Sequence, residues 1–276
     1  MSRKIAIIND ISGYGRCSTS VILPIVSHLG VQGCALPTAI FSNHTGFPSF
    51  FCKDFTEFMP AYINEWKKLD LQFDCIMTGF LGSERQINIV EQFIRDFERP
   101  QTHVLVDPVM GDNGRIYPTY TEKMCRDMRR LLAYADIITP NLTEACFLTG
   151  TRYHAENWHR AELRELSQRL LDMGARKLVI TGIHMGSNFI GNVIATQTAP
   201  EPIFQRQLQV EQTRSGTGDV FASVLAADVV NGVDFATSCR RASRFVRQCL
   251  IETIRCETAH NTGIDFESQL SKLKLR

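Results

Sequence analysis

Neither sign of charge predominates in this chain of 276 residues: 30 lysines and arginines face 29 aspartates and glutamates, a formal net charge of +1. The basic excess that grips nucleic acid is missing, and so is an acidic tail. Long hydrophobic runs are missing too. No window reaches the ~20 apolar residues that cross a bilayer, and the opening run Ile5-Ala6-Ile7-Ile8 is too short for a secretion signal. Seven histidines form no H-x-x-x-H or H-E-x-x-H pair and nine cysteines form no C-x-x-C, which argues against a transition-metal centre or a disulfide frame. Reduced, mostly buried thiols point to the cytoplasm. Cys17, in a glycine-bearing loop, is the one thiol not expected to be inert. The Gly-x-x-x-x-Gly-Lys-[Ser/Thr] phosphate loop is also absent, so any nucleotide must be held another way.

What the chain has is alternation. Short apolar runs at residues 4–8, 31–36, 73–77, 104–106, 136–140 and 177–180 read as buried strands. Between them Val21, Ile22, Ile25, Val26 and Leu29 share one helical face, and helices are expected over 55–68, 85–97, 121–134, 161–173 and 235–254. Ser18 or Ser20 should cap the first helix and Gly30 end it, with Pro24 awkward inside. Residues 188–196 and 202–210 read as strands with no helix between them, an antiparallel edge. No repeat, low-complexity tract or dividing linker interrupts the pattern. The expectation is one three-layer α/β/α domain over residues 1–276, with a central, mostly parallel sheet carrying an antiparallel edge.

The chemistry concentrates in Arg214-Ser215-Gly216-Thr217-Gly218-Asp219, which runs into the apolar stretch Val220-Phe221-Ala222. A helix N-terminus presents unpaired N–H groups and a positive dipole end, and glycines let a phosphate come close to them. A carboxylate beside such an anion is useful as a base, so Asp219 suits phosphoryl transfer to an alcohol. The bland alternative is an ordinary cap, with Ser215 or Thr217 capping and Asp219 in the first turn. Other ligand-type residues also fall at strand ends, where open α/β sheets bind ligands: Asp10, Asp107, Asp112, Asn141, Glu144 and Thr181. Asn141-Leu142-Thr143-Glu144 has the form of a capping box, and a functional reading needs the same two side chains aimed at a metal or a phosphate. A dinucleotide fingerprint on Gly13-Tyr14-Gly15 lacks its third glycine.

The G-T-G-D at a helix start, with those strand-end residues, resembles the ribokinase superfamily of small-molecule kinases. Phe41-Ser42-Asn43-His44-Thr45-Gly46, Val106-Asp107-Pro108-Val109-Met110-Gly111-Asp112 and Ile138-Thr139-Pro140-Asn141 with Glu144 are similar to the pyridoxal/pyridoxamine kinases within it. The resemblance implies ATP-dependent phosphorylation of the 5′-hydroxymethyl group of a vitamin B6 vitamer. In that frame Asp219 is the base, and Gly216, Thr217 and Gly218 form the anion hole. Thr217 also reaches the β-phosphate, and Gly218 the substrate hydroxyl. Asp112 and Glu144 hold Mg²⁺ through waters, while Thr139 and Thr181 bind a monovalent cation, K⁺ or Na⁺. Asn141, Thr181 and Gly182 meet the ATP phosphates, and Asp107 lies at the nucleotide end. Thr45 and Phe80 flank the pyridine ring, Asp10 or Ser12 binds its polar edge, and Tyr117 lies over the substrate or the nucleotide. Asn43 and His44 shape their loop, His44 structurally. Phe80 stands where that branch often has Tyr, and the first loop, N-D-I-S-G-Y-G-R-C-S, is shorter than usual. The resemblance also suggests a homodimer. The alternatives are a kinase of the thiamine-pathway hydroxymethylpyrimidine and a non-catalytic pyridoxal-phosphate or nucleotide carrier.

Overall fold

The computed structural model describes residues 3–210 and 212–274. Along the chain run β1 (Lys4–Ser12), α1 (Thr19–His28), β2 (Gln32–Phe41), β3 (Cys52–Asp54), α2 (Met59–Lys68), β4 (Cys75–Thr78), α3 (Glu84–Phe97) and β5 (His103–Val106). Then follow β6 (Gly111–Asp112), β7 (Arg115–Ile116), α4 (Glu122–Leu132), β8 (Ile137–Ile138), α5 (Leu142–Thr149) and α6 (Arg160–Asp172). The last are β9 (Lys177–His184), β10 (Phe189–Thr196), β11 (Ile203–Leu208), α7 (Thr217–Val230) and α8 (Phe235–Arg255). Backbone contacts gather these elements into two compact units. One is formed by the chain up to Leu81, Phe97–Thr102 and everything from Val210 onward; the other by Gly82–Asp96 and His103–Gln209.

In the first unit the strand order is β4-β1-β2-β3. β1 pairs in parallel with both β2 and β4, and the short β3 runs antiparallel to β2. Ile5, Ala6, Ile7 and Ile8 are wholly buried, as expected of a strand covered on both faces. α1 packs on β1, β2 and α7, and α7 packs on α8. The anticipated face of α8 is the buried one, through Phe235, Cys239, Ala242, Phe245 and Cys249. In the second unit the order is β11-β10-β9-β8-β5, with β5, β8 and β9 parallel and β9, β10 and β11 antiparallel. β6 and β7 form a separate hairpin. The mostly parallel sheet, its antiparallel edge and its flanking helices are as expected. The antiparallel β3 was not anticipated, because its three exposed residues show no pattern.

Several local expectations need correcting. Neither Ser18 nor Ser20 caps α1 by its side chain: Ser18 sits at φ 56 and bonds Asp10, and Ser20 Oγ donates to the Ser12 carbonyl at 2.7 Å. Pro24 lies inside α1, early enough that the bond it removes is the one to the Ser20 carbonyl in the first turn. α2 begins at Met59 rather than near residue 55, with Pro60 in its first turn, where a missing N–H is harmless.

Candidate active site

In the first unit the C-terminal end of β1 carries Asn9, Asp10 and Ser12, all buried. Asn9 Oδ1 accepts the N–H of Asp10 at 2.9 Å and of Phe80 at 2.8 Å, so Asn9 is an organiser of the backbone. Gly79 makes this possible, since a Cβ there would collide with the Asn9 side chain. Thr38 Oγ1 donates to the Phe80 carbonyl at 2.8 Å, and the Phe80 ring meets Phe41 edge-on at 5.7 Å between centroids. Phe80 is thereby fixed as an aromatic wall.

Asp10 is 4 % exposed. Burial pushes its carboxyl above the usual range, opposed by hydrogen bonds from Ser18 and Ser12, the latter at 3.1 Å. A buried carboxyl among hydroxyls suits the polar edge of a small ring. Thr45 is exposed on its loop. His44 has the structural role expected of it: Gly46 N–H donates to Nδ1 at 3.1 Å, so Nε2 carries the hydrogen donated to the Asn261 carbonyl at 2.7 Å. Its ring packs on Phe47 at 4.8 Å.

α7 begins without any side-chain cap. Gly216 occupies the N-cap position in the left-handed region at φ 87, and Thr217 Oγ1 turns back to the Arg214 carbonyl at 3.3 Å. The bland capping alternative for Ser215 and Thr217 therefore falls. The two glycines differ in kind. A Cβ on Gly216 would run into the Arg16 carbonyl and Ile264, whereas beside Gly218 the space is open. Asp219, half-buried, follows in the first turn. The Cys17 thiol shares its neighbourhood with Asp219 and Asp10: burial first, then those two charges, push it up to about 12. The one thiol not expected to be inert is thus held protonated. Ser18, marked by the sequence only as a helix cap, is a partner of Asp10 that sequence reasoning missed.

In the second unit Asp107 ends β5 and accepts a hydrogen bond from Thr139 Oγ1 at 2.8 Å. The capping box at the start of α5 is real: Asn141 Oδ1 takes the Glu144 N–H at 2.9 Å and Glu144 Oε2 takes the Asn141 N–H at 2.8 Å. Both side chains do more than cap. Glu144 Oε1 accepts from Met110 N–H at 3.1 Å, and Asn141 Nδ2 donates to the Gly111 carbonyl at 2.8 Å, so the box also fixes the segment leading to Asp112. Asp112 stands on the hairpin whose tight turn, Asn113 at φ 50 and Gly114 at φ 75, is pinned by Gly114 N–H to Thr143 Oγ1 at 2.9 Å. Asn141 bridges Thr181 in parallel, and no atom lies near the Cβ position of Gly182. Tyr117 leaves the hairpin 37 % exposed, its N–H bonded to the Met110 carbonyl at 2.9 Å.

Burial raises the carboxyls of both Asp107 and Glu144, and the charge of Asp107 raises Glu144 further; burial also raises Asp112. Positive charge is what these three oxygen-only groups lack, and a hard divalent cation supplies it. Among the described residues no group of three His, Cys, Asp or Glu side chains could hold an ion unaided. Asp112 and Glu144 offer oxygen donors only, the kind of ligand Mg²⁺ takes while keeping several of its waters.

The phosphomethylpyrimidine kinase family model matches residues 23–263. A Bacteroides thetaiotaomicron protein designated a phosphomethylpyrimidine kinase, crystallised with pyridoxal, is 38% identical, with a TM-score of 0.93 over 99% of this chain and 96% of its own. Pyridoxal kinase from Lactobacillus plantarum is 26% identical, with a TM-score of 0.90 over 98% of this chain and 96% of its own. The pyridoxine/pyridoxal/pyridoxamine kinase of Bordetella avium is 29% identical over 258 residues, 89% of this chain and 84% of the relative. The chain therefore belongs to the phosphomethylpyrimidine kinase family and is a kinase of ribokinase-like fold.

Proposed function

We propose that this protein transfers the γ-phosphoryl group of ATP to the 5′-hydroxymethyl group of pyridoxal, pyridoxamine and pyridoxine. The observation that carries the reading is the acceptor side. Asp10, buried with the Ser12 and Ser18 hydroxyls, lies in the same unit as Phe80, Asp219 and an uncapped helix N-terminus with open space at Gly218. The likeness to a protein crystallised with pyridoxal supports the choice of ring.

In this reading Asp10 or Ser12 holds the polar edge of the vitamer, and Phe80 and Thr45 flank its ring. Asp219 accepts the proton of the attacking hydroxyl. Backbone N–H groups of residues 216–218 and the dipole of α7 stabilise the charge gathering on the transferred group. Asn141, Thr181, Gly182 and Thr217 meet the nucleotide phosphates, Asp107 lies at the nucleotide end, and Tyr117 covers the substrate or the nucleotide. Asp112 and Glu144 would hold Mg²⁺ through waters, since both Glu144 oxygens already accept backbone N–H groups. The ion would neutralise phosphate charge. Thr139, whose hydroxyl is given to Asp107, would offer its carbonyl to a monovalent cation, with Thr181 as a second ligand. A cytoplasmic homodimer completes the proposal. No helix among the described residues is long and apolar enough to cross a membrane.

The matched family's description favours a second reading, a hydroxymethylpyrimidine kinase. ADP release with Mg²⁺-ATP and potassium separates the two when the three pyridines and hydroxymethylpyrimidine are offered in parallel. Turnover on the pyridines is expected. Turnover mainly on the pyrimidine would replace the vitamer, and none on any acceptor would sink the kinase assignment to both.

A further inference from the structure

The loop at residues 214–218 is held to α7 by Val220 N–H on the Gly216 carbonyl at 2.9 Å, and from outside the helix as well. Residues 258–267, which follow α8, touch three loops of the first unit, at Arg16, at His44 and at residues 214–216. Ile264 N–H donates to the Ser215 carbonyl at 3.1 Å, and Arg16 N–H donates to the Thr262 carbonyl at 3.1 Å. His44 Nε2 donates to the Asn261 carbonyl at 2.7 Å, and an Arg214 guanidinium nitrogen approaches the Thr258 carbonyl at 3.4 Å. Arg16 is the centre of this arrangement. Its carbonyl occupies the space where a Cβ would stand on both Gly216 and Gly263, each with positive φ, 87 and 81. Its guanidinium reaches Asp265 Oδ1 at 2.5 Å and Glu267 Oε1 at 2.8 Å. Asp265 is held in turn by the Thr258 hydroxyl, and Ile264 between them is fully buried.

We propose that this strap sets the position of the phosphate-binding loop, and that Arg16 is the positioning residue that fastens it. The inference rests on reading residues 216–218 as the phosphate loop. Asp10 and Ser12 draw their hydrogen bonds from Asn9, Ser18 and Ser20, not from the strap. The Thr45 loop meets the strap through the His44 bond to Asn261, whereas residues 214–216 meet it at several points around Arg16, so loosening at Arg16 displaces chiefly the groups that meet the transferred phosphoryl. Displacement of that kind acts on the transition state and not on vitamer binding.

The test uses Arg16→Met, Arg16→Lys, Asp265→Asn and the double variant Arg16→Met/Asp265→Asn. In folded Arg16→Met protein kcat should drop by about 10- to 100-fold, the range expected for misplacement of order 1 Å. The vitamer KM should stay within about twofold. Arg16→Lys, which keeps a cation, should recover part of the loss. The double variant should be no worse than the poorer single one, because both act through one fastening. Hydrogen exchange without ligands should speed up at residues 215–219 in Arg16→Met and stay unchanged at residues 5–10. An unchanged kcat with unchanged exchange would overturn the proposal, as would a vitamer KM that rises while kcat holds. If the wild-type protein turns over no acceptor, the functional reading falls, and the exchange arm still decides the strap.

Discussion

Asp219 and Asp10 are carboxyls of one unit: in the proposed reading Asp219 takes a proton, while burial favours a proton kept on Asp10. Asp219→Asn preserves shape and removes the acceptor, so kcat should fall by orders of magnitude while the Kd for ATP stays nearly unchanged. Steady-state turnover beside nucleotide titration checks this, and a loss of less than about tenfold would remove Asp219 from the role of base. Asp10 has a raised carboxyl in the folded state. Between the unfolded value of about 3.9 and that raised value, the folded chain binds a proton that the unfolded chain has released. Its contribution to stability is thus full below about 3.9 and is lost as pH rises through the folded value. Melting curves of ligand-free protein from pH 4 upward should show Asp10→Asn losing less Tm than the wild type. Parallel curves would mean that Asp10 is ionised throughout.

At the scale of elements, the glycines at the start of α7 make a contrast that the G-T-G-D letters conceal. Gly216→Ala should cost roughly 1–3 kcal/mol, because alanine meets both the left-handed φ and the Arg16 carbonyl. Gly218→Ala enters open space within the helix, so its Tm should hold or rise while turnover falls, the new methyl standing where a phosphate would approach. Thermal denaturation and kinetics on the two variants separate these outcomes. A Gly218→Ala enzyme with full activity would argue against phosphate contact at that turn. Local patterns were readable where the physics is local: the Asn141–Glu144 box forms as its spacing suggested, and the apolar runs of β1 and β5 are buried. Ser18 was unreadable as a partner of Asp10, since what diverts it from capping is a φ of 56 and a carboxyl on the preceding strand. The second duty of Glu144, towards Met110, is likewise fixed 34 residues away.

For the whole molecule, the alternation of strands and helices foretold the mostly parallel sheet, and the motifs at strand ends foretold a kinase. Their distribution between two compact units was not foretold, since it depends on which distant segments share contacts. Asp10, Ser12, Phe80 and residues 216–219 belong to the first unit, and Asp107, Asp112, Asn141, Glu144 and Thr181 to the second. Ligands should read that division out in hydrogen exchange: pyridoxal protecting residues 9–18 and 216–219, Mg²⁺-ADP protecting residues 107–117 and 141–144. Protection by pyridoxal confined to the second unit would reverse the assignment of the two halves.

The first unit also joins segments far apart in sequence, residues 4–81 among them, with the strap at residues 258–267. A ribosome has made the second unit, through residue 209, while Gly216 still has no Thr262, Gly263 or Ile264 to settle among. Domains able to fold during synthesis do so in the order they emerge. In the proposed reading the base and its phosphate loop are therefore seated late, and a chain cut short before residue 258 retains Asp219 while lacking the contacts that residues 258–267 make to residues 214–216.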